Sequence, residues 1–207
     1  MAKKLHGGAN TKVVDAFHAV DLGAPFKVIL TNSVSASFDT ETGEMLSYTI
    51  PDFEELVRSV AMSRLTHDRK LSGAELQFLR KAVSVSQAEL ARVLDCKADH
   101  LSKVENGRYP LTTMAERWAR IFLFKKAAKL HNMEDGKMKN KVHQLLDQMF
   151  HGLKPVAVFS DEELEFSFHY KPRDESSSDS IAANDDWVEA DANHTWSDGQ
   201  ELQAACG

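Results

Sequence analysis

Between residues 87 and 108 this 207-residue chain gathers side chains that donate hydrogen bonds: Gln87, Lys97, His100, Ser102, Lys103, Asn106 and Arg108. Ammonium, guanidinium and amide donors at close spacing suit the recognition of anionic oxygens and neutral acceptors. Bond making is poorly provided for. Nine histidines are scattered without an HExxH, Cys96 and Cys206 lack a nucleophile's setting, and no GxxxxGK[ST] or GxGxxG phosphate loop occurs. An enzyme is therefore not expected, and neither is a cofactor.

Three short helices must position these donors. Ser72 and Glu75 make an S-x-x-E capping box, which satisfies two orphan backbone donors at a helix start. Leu76, Leu79, Ala82 and Val83 then form one apolar stripe, with Gln77, Arg80 and Lys81 expected to point elsewhere. SQAELARVL repeats the device with Ser86 and Glu89, and Leu90, Ala91 and Leu94 face inward. Ala91 is small enough for two helices to cross closely there. After a turn at Asp95, Cys96 and Lys97, a third helix from Ala98 to Glu105 turns Leu101 and Val104 inward. Its other face shows Lys97, Asp99, His100, Ser102 and Lys103, and Asn106 with Gly107 stops it. Thr113 with Glu116 reads as another capping box, opening a longer helix through Trp118, Ile121 and Phe122.

The stretch SQAELARVLDCKADHLSKVENGR, Ser86 to Arg108, resembles the helix-turn-helix of phage-repressor and Cro-like regulators, the XRE family. The preceding LSGAELQFLRKA is similar to a narrower branch, the MqsA or YgiT type of regulator and antitoxin. The resemblance implies a third helix in the DNA major groove, a Gln87 that grips a phosphate or base edge, and backbone anchoring by Asn106 and Arg108. The reading helix then spans Lys97, Ala98, Asp99, His100, Ser102 and Lys103. Lys103 can reach guanine O6 and N7 or a phosphate, and His100 can donate to a guanine or a phosphate. Asp99 would repel phosphate, and fits only by accepting from a cytosine amine or orienting a neighbouring lysine. Ser84 and Asp95 stand where the family has Gly in its turns, so those turns are expected to differ in shape. Lys97 replaces the usual Ser or Thr cap.

The remainder divides by composition. Residues 1–24 lack periodicity and read as a flexible arm, and residues 25–70 as a small β-hairpin, with DTETGE as its turn, plus a helix from Phe53 to about Arg64. Residues 71–130 are the helix-turn-helix domain. Residues 131–170 hold an amphipathic helix and short strands, VAVF and EFSFHY, that could dimerise. Residues 171–207 read as a disordered acidic tail, rich in Ser, Asp and Glu, with Trp187 and Trp196 as isolated aromatics able to dock on a partner or on the basic reading face. The MqsA-like branch would place a zinc ribbon before the helical domain. With two cysteines in the chain and no CxxC, no metal is expected.

Charge supports the division. Up to Ser160 there are 23 Lys+Arg against 18 Asp+Glu, and from Asp161 onward 2 against 13, so the net −6 averages a basic body and an acidic tail. No apolar run reaches the roughly eighteen residues of a membrane span, and no apolar segment follows Lys3 and Lys4 to make a signal peptide. The expectation is a mainly α, lambda-repressor-like fold with a small N-terminal sheet. Function is expected to be that of a cytoplasmic homodimeric repressor on a double-stranded DNA operator. The competing expectation is an antitoxin-like module that neutralises a partner protein through the sheet or the acidic tail.

Overall fold

The computed structural model describes residues 9–130, 163–171 and 187–190, together with Asp147. Its described residues divide into two compact units, one of residues 9–60, 163–171 and 187–190 and one of residues 61–130 with Asp147, and the boundary falls between Val60 and Ala61. The elements in chain order are β1 (Ala9–His18), a 3-10 turn (Val20–Leu22), β2 (Lys27–Asp39), β3 (Met45–Thr49), α1 (Phe53–Thr66), α2 (Gly73–Ala82), α3 (Gln87–Val93), α4 (Ala98–Glu105), α5 (Thr113–Leu130), β4 (Glu165–Tyr170) and β5 (Trp187–Glu189).

The first unit is a five-stranded sheet built on the thirteen-residue β2. β1 runs antiparallel along it from Ala9↔Asp39 to His18↔Ile29. The register slips between Val14 and Ala16, where Asn32 of β2 takes φ 51, a left-handed conformation that Asn tolerates. β3 pairs antiparallel with the C-terminal part of β2, and β4 pairs parallel with its N-terminal part, Lys27↔Glu165 to Leu30↔Phe168. β5 closes antiparallel on β4. Val28, Leu30, Val34, Ala36, Phe166, Phe168 and Trp187 are its buried apolar strand residues, and Ala19, Leu22, Phe26, Leu56 and Val60 are buried in the same unit.

Strands β1 and β5 overturn two expectations. The arm expected over residues 1–24 contains β1, whose ten side chains are all at least partly exposed, so backbone pairing to β2 holds it and no apolar pattern announces it. The tail expected to be disordered over residues 171–207 contributes β5. Trp187 is 2% exposed, its indole N–H donates to the Pro51 carbonyl at 3.2 Å, and its ring lies 5.2 Å from Tyr170. A buried aromatic with a paired polar tip stabilises such a short strand. With five strands among the described residues, helix dominates less than expected. The proposed helix of residues 137–150, apart from Asp147, lies outside the described residues, as do VAVF and Trp196.

In the second unit the helices follow the capping signals, with exceptions. Ser72 and Glu75 form the full reciprocal box. Ser86 Oγ accepts from Glu89 N–H at 3.1 Å, but the Glu89 carboxylate bonds Lys126 at 2.8 Å instead of returning to its cap. Thr113 does not cap α5. Thr112 Oγ1 accepts from Ala115 N–H at 3.3 Å, and Glu116 is thereby free to accept from Leu71 N–H at 2.9 Å and from Arg120. Leu76, Leu79, Leu90, Leu101, Leu123 and Phe124 are buried to 1% or less, each contributing about 1.5–3 kcal/mol by removal from water.

Two buried Arg–Glu pairs tie the segment after α1 to this core. Arg64 Nε donates to Glu75 at 2.7 Å and its other nitrogens to the carbonyls of Arg69 and Lys70. Arg120 donates to Glu116 and to the carbonyls of Leu65, His67 and Arg69. Burial, then the nearby Arg64 charge, push the Arg120 guanidinium down to about 10, and it stays charged at neutral pH.

Candidate nucleic-acid interface

The site begins with two tight turns. Ser84 (φ 55) ends α2 and Asp95 (φ 50) lies between α3 and α4, both left-handed. The expected difference in turn shape is therefore not found: these residues adopt the conformation that glycine favours, at a steric cost of roughly 1–2 kcal/mol each. The turns bring α3 and α4 together around Leu90, Ala91 and Leu101. Gly73, the first residue of α2, sits against the end of α4, and a Cβ there would run into the Val104 carbonyl oxygen. Gly107 (φ 71) then turns the chain out of α4.

A third buried pair fixes α4. Arg80, expected on the outer face of its helix, is 8% exposed. Its Nε and Nη2 fork onto Glu105 at 2.7 and 2.9 Å, and Nη1 donates to the Val85 carbonyl at 3.0 Å. Gln87 Nε2 donates to the same carboxylate at 2.9 Å. One buried carboxylate thus joins the ends of α2, α3 and α4, and such forked, charge-assisted bonds are geometrically specific. The charges of Arg80 and Glu105 lie beside the inward residues Leu79 and Val104, and this placement is the sequence signal that could have disclosed them.

The outward face of α4 carries the predicted readers. Lys97, Ala98, Asp99 and His100 are exposed, Ser102 and Lys103 half-buried. Lys97 occupies the cap position, but its side chain makes no capping hydrogen bond. Lys103 Nζ bonds Asp99 Oδ2 at 2.9 Å, and this hydrogen bond, reinforced by the lysine's charge, holds the Asp99 carboxyl below the usual carboxylate range. The His100 ring stacks on Tyr109 at 5.4 Å with 22° between planes, and Lys103 Nζ lies 6.0 Å from the Tyr109 centroid. Tyr109, 47% exposed, is a member of the cluster that sequence reasoning missed. Its position two residues past a helix-ending glycine gave no periodic signal.

The remaining predicted residues have mixed placements. Asn106 is exposed, but its amide donates to the Ser102 carbonyl at 2.8 Å and closes the helix end. Arg108 is exposed, with its backbone N–H on the Lys103 carbonyl at 2.8 Å. Beside α4 runs an open groove lined by Ala88, Ala91, Arg92, Asp95, Cys96, Lys97, Ala98 and His100. Burial and the adjacent Asp95 push the Cys96 thiol up, so it remains protonated at neutral pH. Of the basic residues on α5, Lys126 is bound to Glu89, whose carboxyl is lowered chiefly by that hydrogen bond. Lys125 and Lys129 are exposed. No helix among the described residues is long and apolar enough to cross a membrane.

Comparison with curated proteins and with solved structures finds no match. Residues 73–126, from the start of α2 into the second half of α5, match the family described as a helix-turn-helix domain.

Proposed function

We propose that the protein is a sequence-specific DNA-binding transcriptional regulator that sets α4 in the major groove of an operator. One observation carries the reading. α4 turns polar side chains outward along Lys97 to Lys103 while its far end is held through Glu105 to Arg80 and Gln87. A short helix fixed in this way presents its outer side chains in a preorganised arrangement, as groove reading requires. His100 and Lys103 reach base edges or phosphates, and Lys97 and Arg108 reach the phosphate backbone. Gln87 either leaves Glu105 to bind phosphate or acts by positioning α4.

In this reading the protein is a homodimer, because two reading helices then enter successive major-groove turns roughly 34 Å apart. Occupancy of an operator near its own gene represses transcription. The test is a titration of the full chain on DNA from upstream of its own gene and on an unrelated fragment, at two salt concentrations. Tighter, salt-sensitive binding to the upstream fragment is the expected result. Equal weak binding to both would contradict the reading for that operator.

A second reading, a module that neutralises a partner protein, draws on the sheet. Val13, Met45 and Leu46 on β1 and β3 are 54, 43 and 59% exposed, apolar surface of the kind a protein partner covers. A stoichiometric companion that co-purifies with the chain and is released by Leu46→Glu would favour it.

A further inference from the structure

The ion pair on α4 has the dimensions of one feature of duplex DNA. Asp99 Oδ2 and Lys103 Nζ lie 2.9 Å apart, with the aspartate side chain 79% and the lysine 38% exposed. In a C·G pair, cytosine N4 and guanine O6 are bonded to each other at about the same separation, and both edges face the major groove. The N4 amine has a second hydrogen pointing into the groove, and O6 has a second lone pair. A carboxylate accepting from N4 and an ammonium donating to O6 therefore meet this base pair at the spacing they already hold to each other.

We propose that Asp99 and Lys103 together read a single C·G base pair as a preformed unit, with Tyr109 as a positioning residue that fixes the lysine. This inference rests on the DNA-binding function proposed above. Asp99 accepts and cannot donate, and near phosphate it would be repelled, so the place it fits is beside an exocyclic amine. Adenine also offers an amine, but its N7 acceptor lies alongside and repels a carboxylate, and the thymine methyl group crowds O4. Guanine instead adds N7 as a second acceptor for the ammonium. The choice falls on C·G for both members of the pair.

The surroundings support a fixed geometry. The backbone N–H groups of Arg108 and Tyr109 both return to the Lys103 carbonyl, at 2.8 and 3.3 Å. They bring the Tyr109 ring beside Lys103 Nζ, while His100 stacks on the ring. The lysine is thereby walled on one side and held to Asp99 on the other.

The test is selection of binding sites from a randomised duplex library by the full-length protein and by four variants shown to retain the native thermal transition. Wild type should enrich sites sharing one C·G pair, and changing that pair to A·T should weaken binding roughly 5- to 150-fold. Asp99→Asn should lose the preference for cytosine there and gain adenine, which an amide reads through N6 and N7. Lys103→Met should lose preference at that position and at no other. Tyr109→Phe should keep the preference, whereas Tyr109→Leu should weaken it while the rest of the selected motif survives. If Asp99→Asn and Lys103→Met lower affinity for all duplexes alike and leave every positional preference unchanged, the pair is no base reader and the inference is overturned, with DNA binding intact. If wild type enriches no motif at all, sequence-specific DNA reading falls with it.

Discussion

Ser84 and Asp95 bear the steric cost of the two turns that define the helix-turn-helix, since both hold positive φ with a Cβ attached. Replacing either by glycine should raise stability by about 1 kcal/mol, the relief of left-handed strain exceeding the added unfolded-state entropy. Urea unfolding midpoints check this, and lowered midpoints would show that the side chains contribute more than strain. Gly73 is the opposite case. Gly73→Ala should destabilise by about 1–3 kcal/mol, because the added methyl group meets the α4 backbone and not a side chain that can move. The two turn positions could be picked out from the sequence by alignment to the family's glycines, but Gly73 could not, since only the packed helices reveal what lies opposite it.

Among the elements, α4 depends on a buried carboxylate as much as on its own apolar stripe. Removing one member of the Arg80–Glu105 pair leaves an uncompensated charge in the interior, so Glu105→Gln should cost about 3–5 kcal/mol. Gln87→Ala, which leaves that pair whole, should cost about 1 kcal/mol. The contrast, read by thermal unfolding, separates the buried pair from the amide that joins it. Glu75 supplies a pH signature at the start of α2. Burial pushes its carboxyl up, but the Arg64 charge and hydrogen bond outweigh this, and the group titrates below its ordinary value of 4.5. A folded-state pKa below the unfolded one contributes stability that is present above pH 4.5 and is lost as pH falls through the lower folded value. Glu75→Gln should therefore flatten that acid limb of the stability profile, and an unchanged limb would contradict the assignment. Helix starts were legible where the cap residue had no competitor, as at Ser72. Ser86 caps α3 as read, but the return bond of its box is lost because Glu89 goes to Lys126, and the cap read at Thr113 falls on Thr112, with Glu116 drawn to Leu71 and Arg120.

At the scale of the whole molecule the chain consists of a sheet unit and a helical unit. The helical unit was legible because its order is local, with caps, turns and stripes each contained within a few residues. The sheet was only partly legible because its pairings join distant segments. β4 pairs parallel with β2 across more than a hundred residues, and β5 comes from a segment whose composition argued for disorder. Trp187→Ala should destabilise the sheet unit by about 3–5 kcal/mol, as expected for emptying a buried tryptophan site. Resistance to proteolysis within β4 and β5 reports this directly, and unaltered protection would show that the strand does not depend on the indole.

The most direct test of the central claim, that the outer face of α4 reads DNA, is to measure affinity for the upstream fragment over a salt series. Wild type would be compared with Lys103→Ala and with Lys81→Ala, a control on the exposed surface of α2. Lys103→Ala should weaken specific binding by about 1–3 kcal/mol, or reduce the salt slope by about one if the lysine binds phosphate, while Lys81→Ala changes neither. Equal affinity and equal slope for all three proteins would contradict it.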